Sequence, residues 1–243
     1  MRSTLLALCL LAACSDSSSS AGNEPSGDGG AGDAAAIDGG SDGSGESGPS
    51  YCTTLDPPPF LCVDFDDAPN PADVFTKVEG ATVTGKSLRA QSDGATDAWV
   101  EHEADPSPQW SVVELGFSLR IDDQAADART VVARIGQHMT DSECRVELEL
   151  QPSGLTLKGG TADAKLTKSI AKGKATRIVL SLEAGTDGGS LKANVTVDGQ
   201  SAIAAPVALT CASFPGPPRV TLGRISGAGA SDLRFDDVVF DGR

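Results

Sequence analysis

The sequence predicts an all-β domain, two antiparallel sheets packed as a sandwich. Three observations carry that expectation. From Tyr51 onward, apolar residues recur at alternate positions in short runs, and no run repeats with the period of a helix. Turn formers separate the runs, as at Pro152-Ser-Gly154 and from Gly185 to Gly189. The last stretch, Ser231-Asp-Leu-Arg-Phe-Asp-Asp-Val-Val-Phe-Asp-Gly-Arg243, has the same apolar-acid texture as Phe60-Leu-Cys-Val-Asp-Phe-Asp-Asp67 near the start. If those two segments lie side by side, the strands between them leave one edge and return to it, which is the construction of a jelly roll.

Ahead of that domain lie two segments of different composition. Residues 1–13 read as a leader: Arg2 is the positive end, Leu5 to Leu11 the short apolar core, and Leu11-Ala-Ala-Cys14 the processing site. The apolar run falls far short of the roughly 18–20 residues that span a bilayer. A small-residue site ending in cysteine resembles the lipobox of bacterial lipoproteins. That resemblance implies cleavage before Cys14, lipidation of Cys14, and a lipid-anchored protein of the cell envelope. Ser15 in place of an inner-membrane retention aspartate makes the outer membrane the expected site. Residues 14–50 then form a tether of mostly Gly, Ser, Ala and acids, without Lys or Arg and with Ile37 as its one large apolar residue. Such a segment buries too little surface to offset its ordering entropy. As a flexible coil it spans roughly 30–35 Å.

Residues 51–243 make one domain of ordinary size. The chain has 19 Lys and Arg against 34 Asp and Glu, a net charge of −15; setting aside Arg2 and the tether's seven acids leaves 18 against 27, a net −9. That balance argues against nucleic acid, whose phosphates call for clustered cations. Within the domain, Val113, Leu115, Phe117, Leu119 and Ile121 face one way on a strand spanning 111–121. Val131, Ala133 and Ile135 face inward on the next, and Cys144, Val146, Leu148 and Leu150 on the one after, with Arg145, Glu147 and Glu149 outward. Further strands are expected at 155–158, 177–182 and 191–199. Gly80-Ala-Thr-Val-Thr-Gly-Lys-Ser87 matches the phosphate-loop pattern, but its β-branched interior and broken sequel do not give the strand-then-helix context such a loop needs. Nucleotide is therefore not an expected ligand.

Four cysteines remain in the domain: Cys52, Cys62, Cys144 and Cys211. An even number in an exported domain suggests two disulfides, of which Cys52–Cys62 around the Pro57-Pro-Pro59 turn and Cys144–Cys211 between distant strands are the preferred pairs. None has the spacing of a zinc site.

Three segments in order resemble marks of the concanavalin A-like and laminin G-like (LamG) sandwiches. They are Gly85-Lys-Ser-Leu88, the pair Arg177–Leu182 and Leu191-Lys-Ala-Asn-Val-Thr-Val-Asp-Gly199, and the closing Phe235-Asp-Asp-Val-Val-Phe-Asp241. The resemblance covers most of residues 60–242 and implies two antiparallel sheets, one concave and often glycan-binding. On that analogy a polar concave surface is expected from Trp110, Glu114, Arg120, Arg134, Arg145, Glu147 and Glu149. Asp64, Asp66 and Asp67, brought beside Asp236, Asp237 and Asp241 by pairing of the terminal strands, would suit a structural Ca²⁺. His102 and His138 have no partners at ligand spacing.

The main expectation is a non-catalytic module that binds a carbohydrate or an envelope partner. An alternative is a polysaccharide-degrading enzyme working through Arg145, Glu147 and Glu149. For a hydrolase, Glu147 and Glu149 share a strand face as a carboxylate pair would need, yet the Glu-x-Asp-x-x-Glu signature of the sandwich-fold glucanases is missing. For a lyase, Arg145-Val-Glu-Leu-Glu149 resembles the Arg-Ser/Thr-Glu-Leu-Arg strand of polysaccharide lyases of related fold, and Gln137-His138 resembles part of their Gln-x-His motif. The last arginine is replaced by Glu149, the two motifs come in reversed order, and the tyrosine-rich final strand is missing, Tyr51 being the only tyrosine. A structural envelope protein without a soluble ligand is the third expectation.

Overall fold

The structure is a computed structural model that describes residues 51–66, 70–105, 110–137, 144–160, 163–185, 190–211, 214 and 216–243. The expected leader, Cys14 and the expected tether lie outside the described residues, as do Asp67 and His138. The first eight strands are β1 (Leu61–Val63), β2 (Lys77–Glu79), β3 (Thr82–Val83), β4 (Leu88–Ser92), β5 (Ala98–Glu103), β6 (Val112–Gln124), β7 (Arg129–Gln137) and β8 (Val146–Gln151). The other eight are β9 (Gly154–Lys158), β10 (Ala164–Lys165), β11 (Thr176–Glu183), β12 (Lys192–Val197), β13 (Gln200–Ser201), β14 (Val207–Ala208), β15 (Pro218–Ala228) and β16 (Ser231–Gly242).

They form two antiparallel sheets. One holds nine strands along the path β13-β12-β11-β6-β16-β4-β3, with β1 also on β16 and β14 on β12; the other holds seven, β10-β9-β8-β7-β15-β5-β2. The two end segments of the domain meet as the sequence predicts: Leu61, Cys62 and Val63 lie opposite Phe240, Val239 and Val238. The last strand therefore belongs to the middle of its sheet, between β6 and β4, and closes the domain.

Burial follows the alternation. Val113, Leu115, Phe117, Leu119 and Ile121 of β6 enter a core with Leu233, Phe235 and Phe240 of β16, facing Val100, Ile135, Leu148, Leu157 and Leu222 of the other sheet. One expectation changes in β7. The register slips between Val131 and Ala133, so Val132 joins the core while Val131, though covered, sits across from Glu149. A bulge of one residue reverses the phase of everything before it.

Arg224 of β15 is 1% exposed and ties the β4–β5 loop to its own strand. Its guanidinium donates to the carbonyls of Gly94, Thr96 and Gly227 and to Asp97 Oδ1. The segment that mimics a phosphate loop is β3, a turn in which Gly85 and Lys86 have φ of 58° and 61°, and then β4. Lys86 pairs with Asp66 at 3.1 Å rather than facing a ring of backbone N–H groups.

Cys52 and Cys62 form a disulfide. The expected Cys144–Cys211 bond is a correction: Cys144 is buried as an unbonded thiol just ahead of β8, and Cys211 follows β14, its carbonyl accepting from the Leu191 N–H. An even count says how many bonds are available, not which thiols meet. A buried thiol also packs adequately as a small apolar group.

Candidate functional site

The seven residues expected to share one polar surface fall on three parts of the molecule. Glu114 and Arg120 belong to β6 of the nine-stranded sheet, whereas Arg134, Glu147 and Glu149 belong to β7 and β8 of the seven-stranded sheet, with Arg145 just before β8. The two groups are on opposite outer faces. Trp110 lies on neither: it is buried, edge-on to Phe60 with ring centroids 4.8 Å apart, and stacked so close to Gly242 that a Cβ there would strike its ring. Alternation says which residues of one strand share a side, not which sheet receives the strand.

The outer face of the seven-stranded sheet is the more organised of the two. Lys77, Glu101, Thr221, Arg134, Glu147 and Lys158 stand directly opposite one another across β2, β5, β15, β7, β8 and β9. Six strands at sheet spacing make this rung about 24 Å long. Cations and carboxylates alternate along it on either side of the neutral Thr221. Arg134 holds Glu147 at 2.8 Å, and Arg145 adds a second contact at 3.2 Å. Arg219, one step along β15, bridges Glu101 at 3.2 Å and Glu103 at 2.7 Å. On the other side of the rung, Lys158 pairs with Glu149 at 2.7 Å, and Gln151 also donates to that carboxylate. Burial pushes the Glu149 carboxyl up, but Lys158 and Gln151 outweigh it and hold the group below the usual range. The same pairing holds the Lys158 ammonium above its ordinary value.

Trp99 is the aromatic ring on this face, with Lys77 Nζ 5.1 Å from its centroid. Trp110, the tryptophan expected on a polar surface, is not on this face. The missed signal was the alternation of Ala98 and Val100, both buried, with Trp99, Glu101 and Glu103. Lys77, Lys158, Arg219 and Thr221 carry no comparable signal, because only the register brings them to this rung. His102 turns inward, its ring 6.0 Å from that of Phe240, and burial pushes its pKa down. Tyr51 belongs to the opposite face, beside Arg177.

The acids expected to hold calcium do meet in part. Asp64, Asp66 and Asp237 are close enough to Asp236 to raise its pKa, which burial above all pushes to about 6. Their oxygens are otherwise engaged. Asp64 accepts from the backbone N–H groups of Tyr51 and Asp66, Asp66 pairs with Lys86, and Asp237 accepts from Ser118. Asp241 stands further along β16, opposite Glu114. Among the described residues, which leave out Asp67, no three acids, histidines or cysteines converge as a metal site.

No protein-family model matches the sequence, and no curated protein matches it. Solved structures do match in fold. The alginate lyase Aly36B, solved with an alginate tetrasaccharide, is 13% identical over 74% of this chain and 96% of its own, with a TM-score of 0.51. The alginate lyase vAL-1 from Chlorella virus is 12% identical over 76% of this chain and all of its own, with a TM-score of 0.52. A sialidase of Trypanosoma rangeli, solved with sialic acid, is 17% identical over 68% of this chain and 27% of its own, also at 0.52. The likeness is one of fold: this chain is a two-sheet antiparallel sandwich of the jelly-roll kind found in those lyases.

Proposed function

We propose that the domain binds a polysaccharide along the charged rung of the seven-stranded sheet, presented from the cell envelope by a lipidated Cys14. The observation that carries this is the rung itself, six side chains in register flanked by Trp99. Sugar hydroxyls are donors and acceptors at once, and a row of alternating guanidinium, ammonium and carboxylate groups meets both needs. Trp99 adds a flat apolar surface for a sugar ring. The fold likeness to lyases solved with alginate oligosaccharides supports a polysaccharide as the ligand.

A second reading, a polysaccharide lyase, is favoured by those same relatives. Lyase chemistry calls for a base beside the sugar's acidic C–H and a cation or amide on its carboxylate. Arg134 and Arg145 suit the second role. For the first, Glu147 and Glu149 are both ion-paired, and Glu149 is held low, which makes it a weak base. That balance weighs toward binding without turnover.

Affinity electrophoresis of the full-length protein through gels cast with alginate, other uronate polymers and neutral glucans tests both readings. Retardation that is lost in Trp99→Ala and Arg134→Ala, without ultraviolet-absorbing unsaturated product, is the expected outcome. Product that vanishes in Glu149→Gln would move the assignment to the lyase. No retardation by any polymer would remove both.

A further inference from the structure

The opposite face of the sandwich carries a second recess, whose floor is set by register. Val179 of β11, Gly116 of β6 and Val239 of β16 stand in one line across three strands, and Ser181, Glu114 and Asp241 in the next. Gly116 carries no side chain in the middle of that line, and the Arg177 guanidinium takes the space: a Cβ on Gly116 would meet its Nη2 at 2.6 Å. The strap from Cys52 to Cys62 passes above. Its far end is held by pairing of β1 with β16, and its near end by the Tyr51 N–H on Asp64 and by the disulfide. Leu55, Asp56, Pro57 and Pro59 of the strap face the floor across a cavity of about 210 Å³. Three proline rings and a disulfide between positions ten apart leave that roof little freedom.

Three carboxylates, of Asp56, Glu114 and Asp241, line this cavity with one cation, the Arg177 guanidinium. Arg177 lies over the Tyr51 ring, and its guanidinium donates to Tyr51 Oη at 3.1 Å and to the Asp237 carbonyl at 2.5 Å, so it acts as a wall. Glu114 pairs with Arg243 at 3.0 Å. Asp56 and Asp241 have no ion-pair partner among the described residues, although elsewhere on this face Arg89 with Asp232, Arg120 and Arg234 with Asp122, and Lys172 with Asp123 are matched. Two valines on either side of the Arg177 guanidinium, beneath the unpaired carboxylates of Asp56 and Asp241, would complement an ammonium on an alkyl stem: the stem would rest on Val179 or Val239 and the N–H donors would reach Asp56 and Asp241.

We infer that this recess is a binding site for an alkylammonium group the size of a lysine side chain. It is separate from the polysaccharide face and does not depend on that reading.

The test is a titration of the ¹⁵N-labelled full-length protein with two probes, N-acetyl-lysine amide and pentylamine, and with the Nε-acetylated, neutral form of the first. Both amines should shift the amides of Gly116, Val179 and Val239, the neutral form should not, and added salt should weaken the effect. Tighter binding of the lysine probe identifies a protein partner as the source, and tighter binding of pentylamine a free amine. Asp241→Asn and Asp56→Asn should each weaken binding about fivefold, the scale of one exposed ion pair. Since both sites are at the surface, their unchanged spectra away from the recess separate lost binding from lost folding. Absent shifts, equal shifts with the neutral probe, or shifts confined to the seven-stranded sheet would each overturn the assignment.

Discussion

Asp236 offers a direct measure of how the closing strand is held. Its carboxyl rises from an ordinary 3.8 to about 6, chiefly through burial and then through the charges of Asp237, Asp64 and Asp66, against one hydrogen bond from the Asp237 N–H. A folded-state pKa above the unfolded one means that the folded protein binds the proton more tightly. Ionised Asp236 therefore costs stability above about pH 6, and the cost fades as the pH falls through 6 towards 3.8. Two pKa units correspond to about 3 kcal/mol; because the side chain is only half-buried, solvent screening reduces this to roughly 1–2 kcal/mol. Asp236→Asn keeps an oxygen for the Asp237 N–H and removes the charge. Thermal unfolding should show the variant melting roughly 2–6 °C above the parent at pH 8, with little difference at pH 4. Equal melting at pH 8, or the same gain at both values, would refute the reasoning.

Three further outcomes follow from the same structure. Arg224→Met leaves the Gly94, Thr96 and Gly227 carbonyls without their donor, and urea denaturation should show a loss of about 3 kcal/mol; a loss below about 1 kcal/mol would show that water replaces the guanidinium at little cost. Replacing Cys52 and Cys62 together by serine opens the strap, and the same assay should show about 2–3 kcal/mol lost, with peptide mapping of the parent finding this bond and no Cys144–Cys211 link. Millimolar calcium should leave the melting temperature of the parent unchanged at pH 8, since the carboxylates of Asp64, Asp66 and Asp237 are already bonded; a rise reversed by chelator would restore the calcium expectation.

Local sequence determined the elements and the closure of this protein. Period-two alternation sends Val113 to Ile121 to one side because successive strand residues point oppositely, and all five are buried. The matching texture of Phe60–Asp67 and Ser231–Arg243 was enough to pair the two ends. The same logic made Glu147 and Glu149 neighbours on one face. Tertiary structure decided everything that depends on which strands become partners. It placed Glu114 and Arg120 away from Arg134, folded Trp110 under Phe60 and Gly242, left Cys144 unbonded, and lined up Lys77, Glu101, Thr221, Arg134, Glu147 and Lys158 from six separated segments. Those six are joined by hydrogen-bond register between strands up to 144 positions apart (Lys77 to Thr221), and register is fixed by the packing of the whole sheet. A single strand carries its own alternation but nothing about its neighbour's.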